Sequence, residues 1–290
     1  MALKDLLICI DPGSPSDARL RLAFNLARAH RAHLTAAYVM PKAEGLIAHP
    51  PAGVVPPGEL TGIVQGGGMT PGGVVTEVLR EAEDAETVEQ RFEGELHLSG
   101  IEGAWHLLDA GEEAQLIELA KTFDLTIIGQ RAPEPRATAF RPEDIAIGTA
   151  RPVLAVPYAG TFETVGKRAL VAWDGNREAV RAVNDALPLL GEAEVVTVMS
   201  VGPREAELGR RLSLDRIVGH LQRHGIAARL EETVQAGIAI SDVLLSRAAD
   251  LGADLIIAGV YHHSQLREAL IGGVSRDLLD HMTVPVLMSH

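Results

Sequence analysis

A pattern that occurs twice restricts this chain more than any other feature of it. The stretch "LLICIDPGSPSDARLRLAFNLARAHRAHLTAAYV" near the start and "ALVAWDGNREAVRAVNDALPLLGEAEVVTVMSV" from Ala169 share one plan. Each has an apolar run closing on Asp and then Gly, a helix with apolar residues three and four apart, and a second apolar run. Further on, "DLTIIG" (124–129) answers "DLIIAG" (254–259), and "RPVLAVP" answers "VPVLMSH". Two copies make a pair of related units and not a long array. Within each copy, strand and helix signals alternate. Strands are predicted at 5–10, 34–39, 104–108, 125–128 and 153–156, then at 168–173, 195–201, 227–232, 255–258 and 284–288. Second-half helices are predicted near 177–189, 205–224, 240–251 and 274–281. Short strands separated by helices need right-handed crossovers, which make a parallel sheet. The expectation is an α/β chain of two repeated domains, 1–158 and 167–290, each a five-stranded parallel sheet with helices on both faces. The polar link "PYAGTFETVGKR" (157–168) joins them.

Composition fits that plan. Aromatic residues are 3% of the 290 while apolar residues are 47%, so the core has to be aliphatic, as suits sheets buried on both faces. The net charge of -13 repels nucleic-acid backbones and anionic membranes. Basic residues reach no more than a scattered Arg pair, so neither partner is expected. The one cysteine, Cys9, lies in the first apolar run and reads as a small core residue. No disulfide can form within the chain, and no apolar run reaches spanning length, which together point to a cytoplasmic protein.

Residues 41–73 interrupt the first copy. Met40 to Gly73 holds six prolines and nine glycines, which disfavours regular structure and reads as a surface insertion between the second strand and second helix.

In an open parallel sheet, ligands sit beyond the carboxyl ends of the strands, where the strand order reverses. Asp174 and Gly259 end the first and fourth strands of the second half, so they should meet there. Asp174 reads either as a partner for a sugar hydroxyl or base amine, or as a turn residue of "DGNREA". The histidines of the last thirty residues lack metal-ligand spacing, and no metal site is expected. GxSxG and GxxxxGK[ST] are both missing, so no catalytic residue is assigned.

The residues "VAWDG", "DLIIAG" and "VPVLMSH", in two copies over nearly the whole chain, resemble the universal stress protein family. The resemblance implies strand order 3-2-1-4-5 in each half. It also implies pairing of the halves through their last strands as an internal pseudo-dimer, with homodimer formation left open. ATP-binding members carry Gly, two residues, Gly, nine residues, Gly, then Ser or Thr. Here Gly259 and Gly272 hold the first and third glycine positions, His262 stands at the second, and Gly273 replaces the hydroxyl residue two positions before Ser275. By that resemblance, Asp174, the backbone around Val198 and Ser200, Gly259, His262, Gly272, Gly273 and Ser275 would hold ATP or another adenine nucleotide, with Mg as a companion ion. In the first half no glycine follows Gly129 until Gly148, and Pro133, Pro135 and Pro142 intervene, so no nucleotide is expected there. The resulting expectation is a nucleotide-responsive stress-response binding protein with weak ATP hydrolysis at most. The alternative is a scaffold whose pocket has degenerated and takes no ligand.

Overall fold

The computed structural model describes residues 2–10, 16–40, 71–108, 113–131, 140–203, 207–234, 237–260 and 273–290. His262, Gly272, Asp11 and most of the 41–73 insertion lie outside those residues. The first half runs β1 (Asp5–Ile10), α1 (Ser16–His30), β2 (His33–Val39), α2 (Pro71–Ser99), β3 (Gly103–Leu108), α3 (Glu113–Ala120), β4 (Leu125–Gly129), α4 (Pro142–Thr149) and β5 (Val153–Val156). The second half runs β6 (Arg168–Ala172), α5 (Arg177–Leu190), β7 (Val195–Gly202), α6 (Glu207–Arg223), β8 (Ala228–Val234), α7 (Ile240–Leu251), β9 (Leu255–Gly259), α8 (Val274–His281) and β10 (Val286–Ser289).

All ten strands join one sheet in the order β3-β2-β1-β4-β5-β10-β9-β6-β7-β8. Each half is internally parallel and in the order 3-2-1-4-5; β5 and β10 meet antiparallel, with Leu154 opposite Leu287. Joining the two closing strands removes two exposed sheet edges. Alternation along the strands divides the core into two layers. Leu6, Ile8, Val171, Val198 and Leu287 face a layer with α1, α2, α5 and α6; Leu7, Cys9, Leu170, Met199 and Met288 face α3, α4, α7 and α8. Cys9 is fully buried, in keeping with a core role.

The repeated Asp before β4 and β9 has one task in both halves. Asp124 Oδ2 accepts from the backbone N–H groups of Lys4 (2.7 Å) and Asp5 (3.1 Å). Asp254 accepts from those of Lys167 (3.1 Å) and Arg168 (2.8 Å). Each carboxylate therefore fastens the start of its half's first strand to the start of the fourth.

Most element boundaries fall within a residue of the sequence-based expectation; the start of α2, the end of β8 and the start of β10 do not. The helix α2 begins at Pro71, inside the expected insertion. Proline serves well in a first helical turn, where its missing N–H would have no partner anyway. Strand β8 continues to Val234 through in-register pairing with β7, and β10 starts at Val286, two residues later than the apolar run itself.

Candidate functional site

The strand order reverses at β6, which has β9 on one side and β7 on the other. Over its carboxyl end lies a cavity of about 540 Å³. Ala172, Trp173 and Asp174 line it from β6 and the turn after it, Met199 and Val201 from β7, Ala258, Gly259 and Val260 from β9 and its end. Ile240 and Leu244 of α7, and Val274, Ser275, Arg276 and Leu278 of α8, form further walls. The last wall belongs to the first half: Glu143, Asp144 and Ile147 of α4. A smaller cavity, about 190 Å³, lies between α1, α5 and the connecting link, beside the start of β6 and not at the carboxyl ends of the strands.

Asp174 is at the cavity, but its carboxylate is already used by its own turn. Oδ1 accepts from the Asn176 backbone N–H at 2.9 Å and Oδ2 from the Asn176 side-chain amide at 3.0 Å. Gly175 adopts φ +79° between them, as this turn requires. Gly259 is packed against the first turn of α5: a Cβ there would sit 2.6 Å from the carbonyl carbon of Glu178 and 2.7 Å from the Ala179 nitrogen. Its lack of a side chain thus has a packing cause inside the fold. Ser275 Oγ donates to the Gly259 carbonyl at 3.3 Å, tying the start of α8 to the end of β9. Gly273 caps α8 and its carbonyl accepts from Asp277 N–H at 2.7 Å.

Val198 and Ser200 are buried in β7, and neither side chain lines the cavity. Period-two alternation explains this: Val198 faces the α5–α6 layer, while Met199 and Val201 present themselves at the cavity. Of the sequence-predicted residues, Asp174, Gly259 and Ser275 line the cavity, and Gly273 immediately precedes the α8 wall.

Sequence reasoning missed the α4 wall entirely. The signal was the repeat itself: α4 and α8 occupy equivalent places, and antiparallel pairing of β5 with β10 brings each to the other half. Burial pushes the Glu143 carboxyl above the usual carboxylate range; its own backbone N–H pulls the other way, Asp144 adds to the rise, and Arg141 and Arg276 offset part of it. Glu178, at the start of α5, shows the opposite balance. Burial favours its neutral form, yet the hydrogen bond from Arg177 Nε and its own backbone N–H hold it below the usual range. Among the described residues no group of three or more His, Cys, Asp or Glu side chains converges as a metal site.

A doubly wound sheet with a cavity over its reversal point defines an α/β module that can take a small ligand. Residues 166–290 match the universal stress protein family. The second half of the chain is thus similar to that family, and the first half repeats its strand order. Among solved structures, one similar to the chain is a universal stress protein from Archaeoglobus fulgidus DSM 4304, at 15% identity and TM-score 0.65, covering 98% of this chain and 97% of that one. Another is a functionally unknown protein from Pseudomonas aeruginosa PAO1, at 16% identity and TM-score 0.61, covering 99% and 92%. At such identities the likeness is one of fold, and it extends over both halves. No curated protein sequence matches the chain. No helix among the described residues is long and apolar enough to cross a membrane.

Proposed function

We propose that the chain is an adenine-nucleotide-responsive binding protein of the stress response, acting in the cytoplasm. ATP or a related adenine nucleotide, with Mg²⁺ as companion ion, would occupy the second-half cavity. The observation that carries this reading is the placement of a cavity of about 540 Å³ at the reversal point of the half that matches the family. That volume falls within the usual range for small-ligand sites. Apolar walls from Met199, Val201, Ile240 and Leu244 suit a base, and the start of α8 with Arg276 suits a phosphate. His262 and Gly272 would complete the phosphate side. On this reading any hydrolysis is slow and incidental.

A second reading, a scaffold without a nucleotide, has specific support. Gly259 is explained by packing on α5, and the Asp174 carboxylate is engaged by Asn176. Neither residue then needs a ligand to account for it. Calorimetric titration of the nucleotide-stripped full chain with Mg-ATP near neutral pH separates the two. The nucleotide reading expects micromolar Kd with a stoichiometry near one. An absence of heat at millimolar ATP, confirmed by displacement, would overturn the nucleotide reading and point to the scaffold or to a different ligand.

A further inference from the structure

The two halves are not equal at the cavity. Aligning Pro152 with Pro285, the prolines before the closing strands, places Glu143 of α4 opposite Arg276 of α8 in the repeat. Equivalent positions in the two helices thus carry opposite charges, and both line the same cavity. The start of a helix attracts anions through its unpaired N–H groups. On α8 that attraction is reinforced by Arg276. On α4 it is cancelled from within, since Pro142 brings no N–H and Glu143 folds back on its own backbone N–H.

Of the charged groups among the described lining residues, Glu143, Asp144 and Asp174 are acidic and Arg276 is basic. The Asp174 carboxylate is held by Asn176, and Asp144 is exposed to solvent. Glu143 differs from both: its side chain is only 16% exposed, and Arg141 approaches it at 4.0 Å. A charge shielded from solvent in a cleft acts over a longer range than an exposed one.

We propose that Glu143, a residue of the first half, sets the charge selectivity of the second-half cavity. It excludes anionic groups from the α4 wall and leaves that wall to an uncharged or cationic part of the ligand. The ligand is thereby oriented, its anionic end toward Arg276 and its neutral end toward Glu143. This orientation rests on the nucleotide reading; the charge selectivity does not.

The test uses the full chain with Trp105→Phe, which leaves Trp173 at the cavity as the sole tryptophan. Binding of an anionic dye (1-anilinonaphthalene-8-sulfonate) and a cationic dye (auramine O) is followed through the emission of Trp173. The same protein is titrated with metal-free ATP and with adenosine, at low salt. Glu143→Gln is expected to tighten the anionic dye and loosen the cationic one, each by roughly three- to tenfold, with the effect shrinking as salt is added. Asp280→Asn, exposed on α8 and outside the cavity lining, is expected to change either by less than about twofold. Unaltered dye preference in a folded Glu143→Gln protein would overturn the proposal. So would an equal effect of Asp280→Asn, which would mark a general surface-charge effect, or failure of both dyes to bind. If the dyes respond as expected while ATP and adenosine do not bind, charge selectivity stands and the nucleotide reading falls.

Discussion

At Gly259 and Gly273, two glycines of one sequence motif, the structure assigns different physical demands. A Cβ at Gly259 meets the backbone of α5 at 2.6–2.7 Å, and backbone cannot rotate out of the way. Among the described residues, a Cβ at Gly273 meets the Asp277 carboxylate, with Oδ2 at 3.2 Å, on a side chain that can turn aside. Gly259→Ala is therefore expected to cost about 1–3 kcal/mol of stability through overpacking. Gly273→Ala, with φ of −95°, should lie within about 0.5 kcal/mol of the parent. Urea denaturation of the two variants checks the contrast; equal losses would show that α5 yields to the added methyl. The spacing of the glycines was plain in the sequence. That one of them serves helix–strand packing was not, because its neighbour Glu178 is about eighty residues earlier.

Between elements, the clearest polar tie in the second half joins α7 to edge strand β8. Arg247 Nε donates to Glu231 Oε2 and Nη2 to Oε1 at 2.6 Å, a forked pair. The fork holds the Glu231 carboxyl below its usual range against burial, which pulls it up, while Arg247 is held above its own. For a depressed carboxylate, the stabilisation is complete above the unfolded-state value, about 4.3, and is lost as pH falls through the lower folded value. Because Arg247 remains in contact with water, the contribution is small. Arg247→Met is expected to lower Tm by roughly 1–3 °C near neutral pH. The gap to the parent should close as the pH falls below about 4. Thermal melts across that range decide it; a gap that persists in acid would assign the loss to packing of the Arg stem.

Over the whole molecule, the halves hold each other by more than the β5–β10 pairing. Gln130, directly after β4, is 7% exposed and donates its side-chain amide to the carbonyls of Leu279 (2.7 Å) and Asp280 (3.1 Å) in α8. Its Oε1 accepts from Tyr158 N–H at 3.2 Å. One end of α8 thus lines the cavity while the other is held by the first half. Gln130→Met would leave those carbonyls without this donor, at a cost of about 1–3 kcal/mol. Hydrogen exchange should then quicken in α8, in the half that does not contain the substitution. Unchanged α8 protection would show that Gln130 does not couple α8 to the first half.

The alternation of short apolar runs with amphipathic helices determined the α/β class, the repeat and nearly every strand, since these depend on local periodicity. It also brought Asp174 and Gly259 to one end of the sheet, because strand ends follow from strand positions. The sequence left open whether the Asp174 carboxylate serves a ligand or its own turn, since that depends on the conformation of Gly175. Nor could it tell that Met199 and Val201 would line the cavity while Val198 and Ser200 would not, because a strand's facing is set by what packs on each side. Only the tertiary structure brought Glu143 to the other half's cavity. That contact joins residues far apart in the chain, and it exists because β5 and β10 pair antiparallel and carry α4 and α8 across the seam.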